Sequence, residues 1–270
     1  MQNRILVFIG FLALGLVFGC SKFRKIEKSE DWRVKYEAAL TYFEKKDYYR
    51  ATVLFDQILP IVRGLPEGEK VQFYLGYCQF YDKNYLFAAE YFKTFYTTYG
   101  RSASVEEARY MHAYALFMAS PGPMLDQTAS IDAMVSMQDF LNRYPQSTYH
   151  DKAVDVINTI QAKLEKKGFE NAKQYYRTRS YKAAITAFDN FKKNFPDSDY
   201  HEEADYLAIE STYKLAVQSF TTKQKERFQQ VVDRYLEYLD KYPKSKYLNP
   251  LEKMYADSIL QLSKLKNVNS

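Results

Sequence analysis

The chain has 270 residues, with 38 Lys and Arg against 33 Asp and Glu, which gives a formal charge of +5. Its 26 Tyr and 19 Phe, together with only 9 Gly and 8 Pro, favour helices stacked on helices. The basic residues are spread along the chain without a cluster that could follow a phosphate backbone, which argues against a nucleic-acid partner.

Residues 1–19 have the pattern of a cleavable bacterial signal peptide. A positive charge at Arg4 precedes the apolar run 5–18, which is too short to span a bilayer comfortably. The run ends at Gly19 and Cys20, a junction similar to the lipobox of bacterial lipoproteins, although Phe18 is bulkier than usual there. We therefore expect cleavage before Cys20 and lipid attachment to it. The alternatives are a plain secretory signal and an uncleaved anchor.

A lipid on Cys20 would anchor the mature chain durably, because each buried methylene of its acyl chains contributes about 0.8 kcal/mol. The similarity to enterobacterial lipoproteins implies diacylglycerol and an N-acyl group on Cys20 and, with Ser21 rather than Asp after it, sorting to the outer membrane. Residues 20–31 then form a lipidated tether. The charges of this tether alternate in sign and form no acidic cluster, which favours a position facing the periplasm. Apart from the lipid on Cys20, we expect no cofactor.

From Trp32 onward the spacing of apolar residues is helical and self-similar, which predicts an all-α domain over residues 32–270. In the second helix of each predicted pair, four residues recur at offsets of 3, 7 and 10, and the second of them is small. This spacing places them on one stripe and lets the paired helix approach closely. The sequence thus predicts a tetratricopeptide-repeat superhelix, or solenoid, of about five helix pairs. The stripes are Tyr48-Ala51-Phe55-Ile58, Tyr85-Ala88-Phe92-Phe95, Ser130-Ala133-Met137-Phe140, Tyr181-Ala184-Phe188-Phe191 and Phe228-Val231-Tyr235-Tyr238.

The last three pairs end in closely similar turns at residues 143–149, 194–200 and 241–247, each with an aromatic-Pro-x-Ser-x-Tyr pattern. Proline ends one helix, and the following polar residues are suited to cap the next. Ser104 and Glu107 have the spacing of a capping box at the start of such a helix.

Three further segments are assigned from their composition. Residues 119–128, with Pro-Gly-Pro inside them, predict a loop within the third pair. Residues 151–177 predict a long helix that joins the third and fourth pairs, and residues 251–266 predict a terminal helix.

The first helices carry a second stripe, with spacing i, i+4, i+7. Tetratricopeptide repeats use such positions to line a groove, so we expect a groove that binds peptide segments. The alternative is that these side chains only pack between helices. For any single residue of the stripe, packing explains its apolar character better than a groove does. The groove candidates are Tyr36, Phe43, Phe73, Tyr77, Phe80, Tyr110, Tyr114 and Phe117.

Charged residues interrupt this stripe in the fourth and fifth pairs. Lys173 and Glu210 stand at its centre, and Arg177 and Arg179 lie close by in the sequence. Mixed charge suits recognition of a folded, polar domain surface better than of apolar unfolded segments. We therefore expect these four residues to contribute to a partner-binding surface.

Motifs for catalysis or metal binding are missing from the sequence. His112, His150 and His201 are the only histidines, and two of them follow equivalent turns, so repeat position explains them better than metal ligation. No Gly-rich phosphate loop, Cys-x-x-Cys, His-Glu-x-x-His or Gly-x-Ser-x-Gly occurs. We expect no catalytic residue, no metal site and no enzyme activity, and we expect Cys78 to be a small buried hydrophobe.

The lipobox, the helix pairs of this length and above all residues 164–200 resemble the BamD (YfiO) family, tetratricopeptide lipoproteins of the outer-membrane β-barrel assembly machinery. The likeness extends from about Trp32 to Tyr247. It implies a scaffold that binds a BamA-like barrel protein through its periplasmic domains, and N-terminal repeats that receive unfolded outer-membrane proteins. The chain departs from the family pattern where the first repeat ends at Pro60 without an aromatic-Pro turn, and residues 248–270 match nothing in it.

Two other classes of binding protein remain open. The periplasmic repeat protein of the Tol–Pal system has similar Tyr-Pro-x-Ser turns, but it has an N-terminal coiled coil and a non-lipid signal. A SusD-like glycan-binding lipoprotein is also built from helical repeats, but it is much longer and would be expected to use more sugar platforms than the single Trp32.

Overall fold

The computed structural model describes residues 22–267, with side chains up to Leu265. The predicted signal peptide and Cys20 lie outside the described residues. Within the described part of the chain every long element is helical and no strand occurs, so the predicted all-α fold is confirmed. A short helical segment, residues 22–27, comes before eleven longer helices. These are α1 (Trp32–Glu44), α2 (Tyr48–Val62), α3 (Pro66–Tyr81), α4 (Tyr85–Thr98), α5 (Val105–Ala119), α6 (Thr128–Arg143), α7 (His150–Arg177), α8 (Tyr181–Asn194), α9 (His201–Val217), α10 (Thr221–Lys241) and α11 (Leu248–Asn267).

Predicted boundaries agree closely with these helices. The loop expected at residues 119–128 lies between α5 and α6, α7 is the long helix, and α11 is the terminal helix, beginning three residues earlier than expected. Pro60 does not end the first pair, because α2 continues past it to Val62.

Caps at the helix starts follow the sequence only in part. The carboxylates of Asp31 and Asp47 accept hydrogen bonds from backbone N–H groups of α1 and α2, as short acidic residues at these positions usually do. The predicted capping box at Ser104 is wrong, since its side chain makes no cap bond. Glu107 instead accepts a hydrogen bond from Tyr77.

The chain divides into two compact units, residues 22–121 with 126–160, and residues 122–125 with 161–267. In the first unit the helices α1 to α6 each pack against the next one along the chain. In the second unit α8 to α11 do the same, and Phe169 of α7 packs against Phe188 and Phe191 of α8. Both units are therefore built from consecutive helix pairs, as the repeats predict.

The stripe predicted on the second helices forms the core. Its small residues, Ala51, Ala88, Ala133, Ala184 and Val231, are all fully buried. A side chain of this size lets two helix backbones approach closely, which is the packing that a tetratricopeptide pair needs. Most of the larger stripe residues are buried with them, among them Phe55, Phe92, Met137, Phe188 and Tyr235, whereas Tyr48 and Tyr85 are half-buried.

Part of the predicted tether is packed against the first unit. Phe23 and Ile26 of the short helical segment contact the core of α1 and α2. The ring of Phe23 meets that of Tyr42 edge-on, with centroids 5.6 Å apart, and the Arg50 guanidinium lies 5.5 Å from the centre of the Phe23 ring. The chain is thus fixed to the fold from Phe23 onward.

Candidate functional site

Tyr81, at the end of α3, is the centre of a connected set of aromatic side chains in the first unit. The centroid of its ring lies 4.7 Å from that of Tyr48, 5.8 Å from that of Tyr77 and 5.8 Å from that of Phe80. Phe43 of α1 is 6.4 Å away. Tyr81 itself is 47% exposed, so this part of the surface is accessible from solvent.

The contacts continue from α3 to α5. The ring of Phe80 lies 5.8 Å from that of Tyr114, and Tyr114 lies 5.9 Å from Phe117. All the members except the exposed Tyr81 are half-buried, so each is partly accessible to solvent. We name this connected set the aromatic face, formed by Phe43, Tyr48, Tyr77, Phe80, Tyr81, Tyr114 and Phe117.

Three of the eight predicted groove residues are not among these seven. Phe73 and Tyr110 adjoin the aromatic face, with ring centroids 5.2 Å from Tyr77 and 5.6 Å from Tyr114 respectively, but both also pack into the interior. Tyr110 is only 5% exposed and stacks on Tyr149, with centroids 4.4 Å apart; burial raises the pKa of its phenol to about 12. Phe73 packs against the fully buried Phe95, with ring centroids 5.0 Å apart. Tyr36 contacts Trp32 edge-on at 6.5 Å. The structure brings the other five together in the aromatic face.

Tyr77 is held in place by a residue that the sequence had suggested for another role. Its hydroxyl donates a hydrogen bond to the carboxylate of Glu107 on α5. Burial and this bond raise the pKa of Tyr77 far above its usual range. The side chain is therefore a fixed, neutral wall of the aromatic face.

The same relationship recurs in the second unit with a different donor. Glu203 precedes Tyr206 by three positions, as Glu107 precedes Tyr110, and it accepts a bond from the Lys173 ammonium at 2.6 Å. The Lys173 ammonium also lies 5.2 Å from the centre of the ring of Phe169. The charge of Lys173 is thus largely neutralised inside the chain.

Two other partner-binding candidates also have internal partners. Arg177 pairs with Glu170 at 2.9 Å. Glu210 pairs with Lys214 at 2.7 Å, and the Lys214 ammonium donates to the Tyr176 hydroxyl at 2.9 Å. Burial by itself would lower the pKa of Lys214, but its bonds to Glu210 and Tyr176 outweigh it and raise that pKa.

Arg179 is the exception among the four. It adopts a left-handed backbone conformation, with φ of 60°, and lines an open groove of about 810 Å³ between the start of α8 and the end of α9. Lys182 lines the same groove, which contains no acidic residue. Neither cation forms an ion pair with any residue from 22 to 265. We name this the basic groove; its other walls include Tyr175, Ala183, Asn190, Leu215 and Gln218.

His112, His201 and Cys78 serve the fold, whereas His150 is exposed and its Nδ1 lies 3.1 Å from the carboxylate of Asp151. His112 Nδ1 lies 2.9 Å from the carbonyl oxygen of Ala89, and burial lowers its pKa. His201 Nε2 lies 2.7 Å from the Phe195 carbonyl oxygen, while Cys78 is fully buried, as expected. Among the described residues, no cluster of three or more His, Cys, Asp or Glu could hold a metal ion. No described helix is long and apolar enough to cross a bilayer.

Comparison with known proteins identifies the family. The family model named YfiO, described as an outer membrane lipoprotein, matches residues 29–226, which is most of the chain. The chain belongs to this family. Its match covers the helix pairs of the first unit and reaches the early part of α10, so the resemblance seen in the sequence is confirmed.

Two relatives carry names that describe an assembly role. A putative outer membrane protein assembly factor BamD from Aquifex aeolicus is 28% identical over 229 residues, which cover 84% of this chain and 72% of that protein. The outer membrane protein assembly factor BamD from Rickettsia prowazekii is 23% identical over 211 residues, covering 76% and 83% respectively. A solved structure, the apo form of RapI, aligns over 95% of this chain and 96% of its own, at 13% identity and a TM-score of 0.35, which is too distant to carry an argument.

Proposed function

We propose that this chain is an outer-membrane lipoprotein, anchored through Cys20 and facing the periplasm, that acts as a non-enzymatic scaffold in the assembly of outer-membrane β-barrels. The family assignment and the names of the two relatives support the cellular process. The observation that carries the mechanism is the aromatic face. It joins seven aromatic side chains of the first unit, five of which the sequence predicts as groove residues.

The aromatic face matches the chemistry of an unfolded barrel segment. Strands of outer-membrane barrels alternate apolar and polar residues and are rich in aromatic residues at their ends. The rings of Phe43, Phe80 and Phe117 would receive the apolar side chains, while the hydroxyls of Tyr81 and Tyr114 would meet polar groups, as tyrosine does at many interfaces. Ordering an unfolded segment costs conformational entropy, so binding should be weak and readily reversed.

The second unit supplies a different surface. Lys173, Arg177 and Glu210 have internal partners, whereas Arg179 and Lys182 present two cations in the basic groove. Complementary charge steers and orients a folded partner. This supports binding of an acidic part of a BamA-like barrel protein in the basic groove. Lys173 and Glu210 would then contribute only by stabilising the packing of the helices beside the groove.

Purification from the native membrane in mild detergent tests the proposal. A copurifying barrel protein with periplasmic domains supports it. Tol–Pal proteins, or a TonB-dependent glycan transporter, would replace it with one of the two other binding classes. Reversal of the groove charge by Arg179→Glu with Lys182→Glu should then release the barrel protein. Lys193→Glu is the matched control, because Lys193 is an exposed lysine on the same helix, α8, but outside the basic groove. Equal recovery of the barrel protein with both variants would remove the basic groove from the proposal.

A further inference from the structure

Several large apolar side chains are exposed at the turns inside the helix pairs of the first unit. Tyr49, at the start of α2, is 71% exposed; Leu86 and Phe87, at the start of α4, are 62% and 67% exposed. Met118, at the end of α5, is 37% exposed. Large apolar side chains that are exposed together usually mark a surface that contacts another molecule or a membrane.

These turns lie along one edge of the first unit. Tyr48, which begins α2, stacks on Tyr81 at the end of α3 with ring centroids 4.7 Å apart. Residues 83–87, at the turn from α3 to α4, share a groove of about 370 Å³ with Met118 and Ala119 at the end of α5. We name this strip the turn edge; its exposed apolar residues are Tyr49, Leu86, Phe87 and Met118.

The helix-pair fold does not require apolar residues at these positions. Leu86 and Phe87 follow the first aromatic residue of the second-helix stripe, Tyr85. The equivalent positions after Tyr181 are Lys182 and Ala183, and after Phe228 both positions are glutamine. The same helix packing therefore forms with polar or small residues there, and the exposure of Leu86 and Phe87 calls for a contact outside the chain.

The path of the chain indicates what that contact is. Phe23 packs against Tyr42 and Arg50, and these two residues flank the turn from α1 to α2, which belongs to the turn edge. Cys20 stands only three residues before Phe23, and three residues span at most about 11 Å when fully extended. A lipid on Cys20 would therefore enter the membrane beside the turn edge.

We propose that the turn edge rests on the phospholipid surface that holds the Cys20 lipid, with Leu86, Phe87 and Met118 inserted among the head groups and the first acyl carbons. Tyr49 would lie at the interface, where tyrosine is enriched in membrane proteins. This inference rests on the lipid anchor of the proposed function. The membrane contact would orient the first unit. Tyr81, the centre of the aromatic face, would then lie close to the membrane into which a client must insert.

Opposite charges along the turn edge nearly cancel, so we expect its contact with the membrane to be mainly apolar. Lys45, Lys46 and Lys83 are exposed there, and so are Glu44 and Asp82, so the net charge is small. Binding through buried apolar area depends little on salt, whereas binding through charge weakens within a Debye length as salt is added. The contact should therefore persist in vesicles of zwitterionic lipid and in high salt.

Tryptophan quenching by brominated lipid measures this contact in the full lipidated chain. Trp32 is the only tryptophan, so a Trp32→Phe background leaves one reporter, introduced by Phe87→Trp. Leu65→Trp is the matched control: Leu65 is an exposed apolar residue, 41% accessible, in the turn between α2 and α3, at the far end of α2. With a rise of 1.5 Å per residue, the 15 residues of α2 separate the two turns by about 22 Å.

Each protein is incorporated into phosphatidylethanolamine and phosphatidylglycerol vesicles whose acyl chains carry bromine near the head group. We expect marked loss of emission from the Phe87→Trp variant, and little loss from the Leu65→Trp variant, in protein that floats with the vesicles. Equal quenching in both variants, or none in either in floating protein, would overturn the proposal while leaving the anchor intact. Protein that does not float would overturn the anchor and this inference together. A concentration-dependent blue shift of the Phe87→Trp emission without quenching would show that a second copy covers the edge instead.

Discussion

Tyr206 and Tyr247 stack with their ring centroids 4.4 Å apart and their planes 9° from parallel. Tyr206 belongs to the first helix of the fifth pair, and Tyr247 is the last residue of the Pro-x-Ser-x-Tyr turn that ends this pair. The same stack joins Tyr110 to Tyr149 at 4.4 Å, and Phe169 to Tyr200 at 4.7 Å. The turn tyrosine thus closes each of the last three pairs onto its own first helix.

Removal of one turn tyrosine should loosen its pair. We expect Tyr247→Ala to lower the free energy of unfolding by about 1–2 kcal/mol, because a stacked aromatic pair contributes about 0.5–1.5 kcal/mol beyond the area it buries. Urea unfolding followed by circular dichroism measures this change. Tyr247→Phe keeps the ring and should stay close to the parent; if it is destabilised as much as Tyr247→Ala, the stack is not what holds the turn.

This stack explains why one of the groove candidates, Tyr110, is buried. Phe73 and Tyr110 begin stripes with identical spacing, yet Tyr110 is covered by Tyr149, whereas the turn after the second pair has Ser104 in the equivalent place. Local spacing fixes which face of a helix a residue occupies, but not which distant turn folds back over it. The second-helix stripes were predicted correctly because their packing depends on the neighbouring helix alone.

Other members of the site were missed for related reasons. Tyr81 lies eight positions after Phe73, one beyond the i+7 residue that ends the stripe, although two full helical turns bring it near the same face. Lys182 follows the stripe residue Tyr181, and the sequence alone does not distinguish it from an ordinary solvated lysine. Its role in the basic groove depends on the end of α9, which lines the same groove. Charge at Lys173 and Glu210 was visible in the sequence, but their partners Glu203 and Lys214 could not be assigned without the helix packing.

The aromatic face can be tested apart from the core. Tyr81→Ala with Tyr114→Ala removes one exposed and one half-buried ring, so crosslinking to a peptide from the C-terminus of a barrel client should fall clearly. Far less stability should be lost than in Phe92→Ala, where truncation of a fully buried ring is expected to cost about 3–5 kcal/mol. Crosslinking yield and thermal melts of both variants give the two measurements.

Ile61→Ala is the control for that experiment, because Ile61 is an exposed apolar residue of the same unit that belongs neither to the aromatic face nor to the turn edge. Its crosslinking should match the parent. Unchanged crosslinking in the Tyr81 and Tyr114 double variant would remove the aromatic face from the client-binding hypothesis.

Three turns inside the helix pairs use a cation in a left-handed conformation, Lys46, Lys83 and Arg179, with φ between 60° and 63°. A residue with a Cβ is strained there by about 1–2 kcal/mol. Lys46→Gly should therefore stabilise the chain, by up to about 1 kcal/mol after the added freedom of the unfolded state is counted. The neighbouring Lys45 has φ of −76°, so Lys45→Gly should destabilise it. Chemical unfolding of both variants tests the opposite signs, and equal effects would contradict the backbone argument.

The Asp189–Arg234 pair should make stability depend on pH in a defined direction. The two terminal guanidinium nitrogens of Arg234 donate to the Asp189 carboxylate, at 2.6 and 3.0 Å, and join α8 to α10. Burial alone would raise the pKa of Asp189, but the bonds and charge of Arg234 outweigh it and lower that pKa. Because the folded pKa is lower than the unfolded one, the stabilisation is complete above the ordinary carboxyl pKa and is lost as pH falls through the folded value.

Asp189→Asn should therefore cost about 1–3 kcal/mol near neutral pH, as expected for a lost hydrogen bond to a charged group that leaves its partner half-buried. The difference from the parent should shrink steadily once pH falls below about 4, the usual range of an unfolded aspartate. Asp240→Asn, at an exposed position of α10, is the control and should change stability little at any pH. Urea unfolding of the three proteins at a series of pH values gives the comparison. If the loss in free energy of unfolding caused by Asp189→Asn stays constant into the acid range, the charge of Asp189 is not what holds α8 to α10.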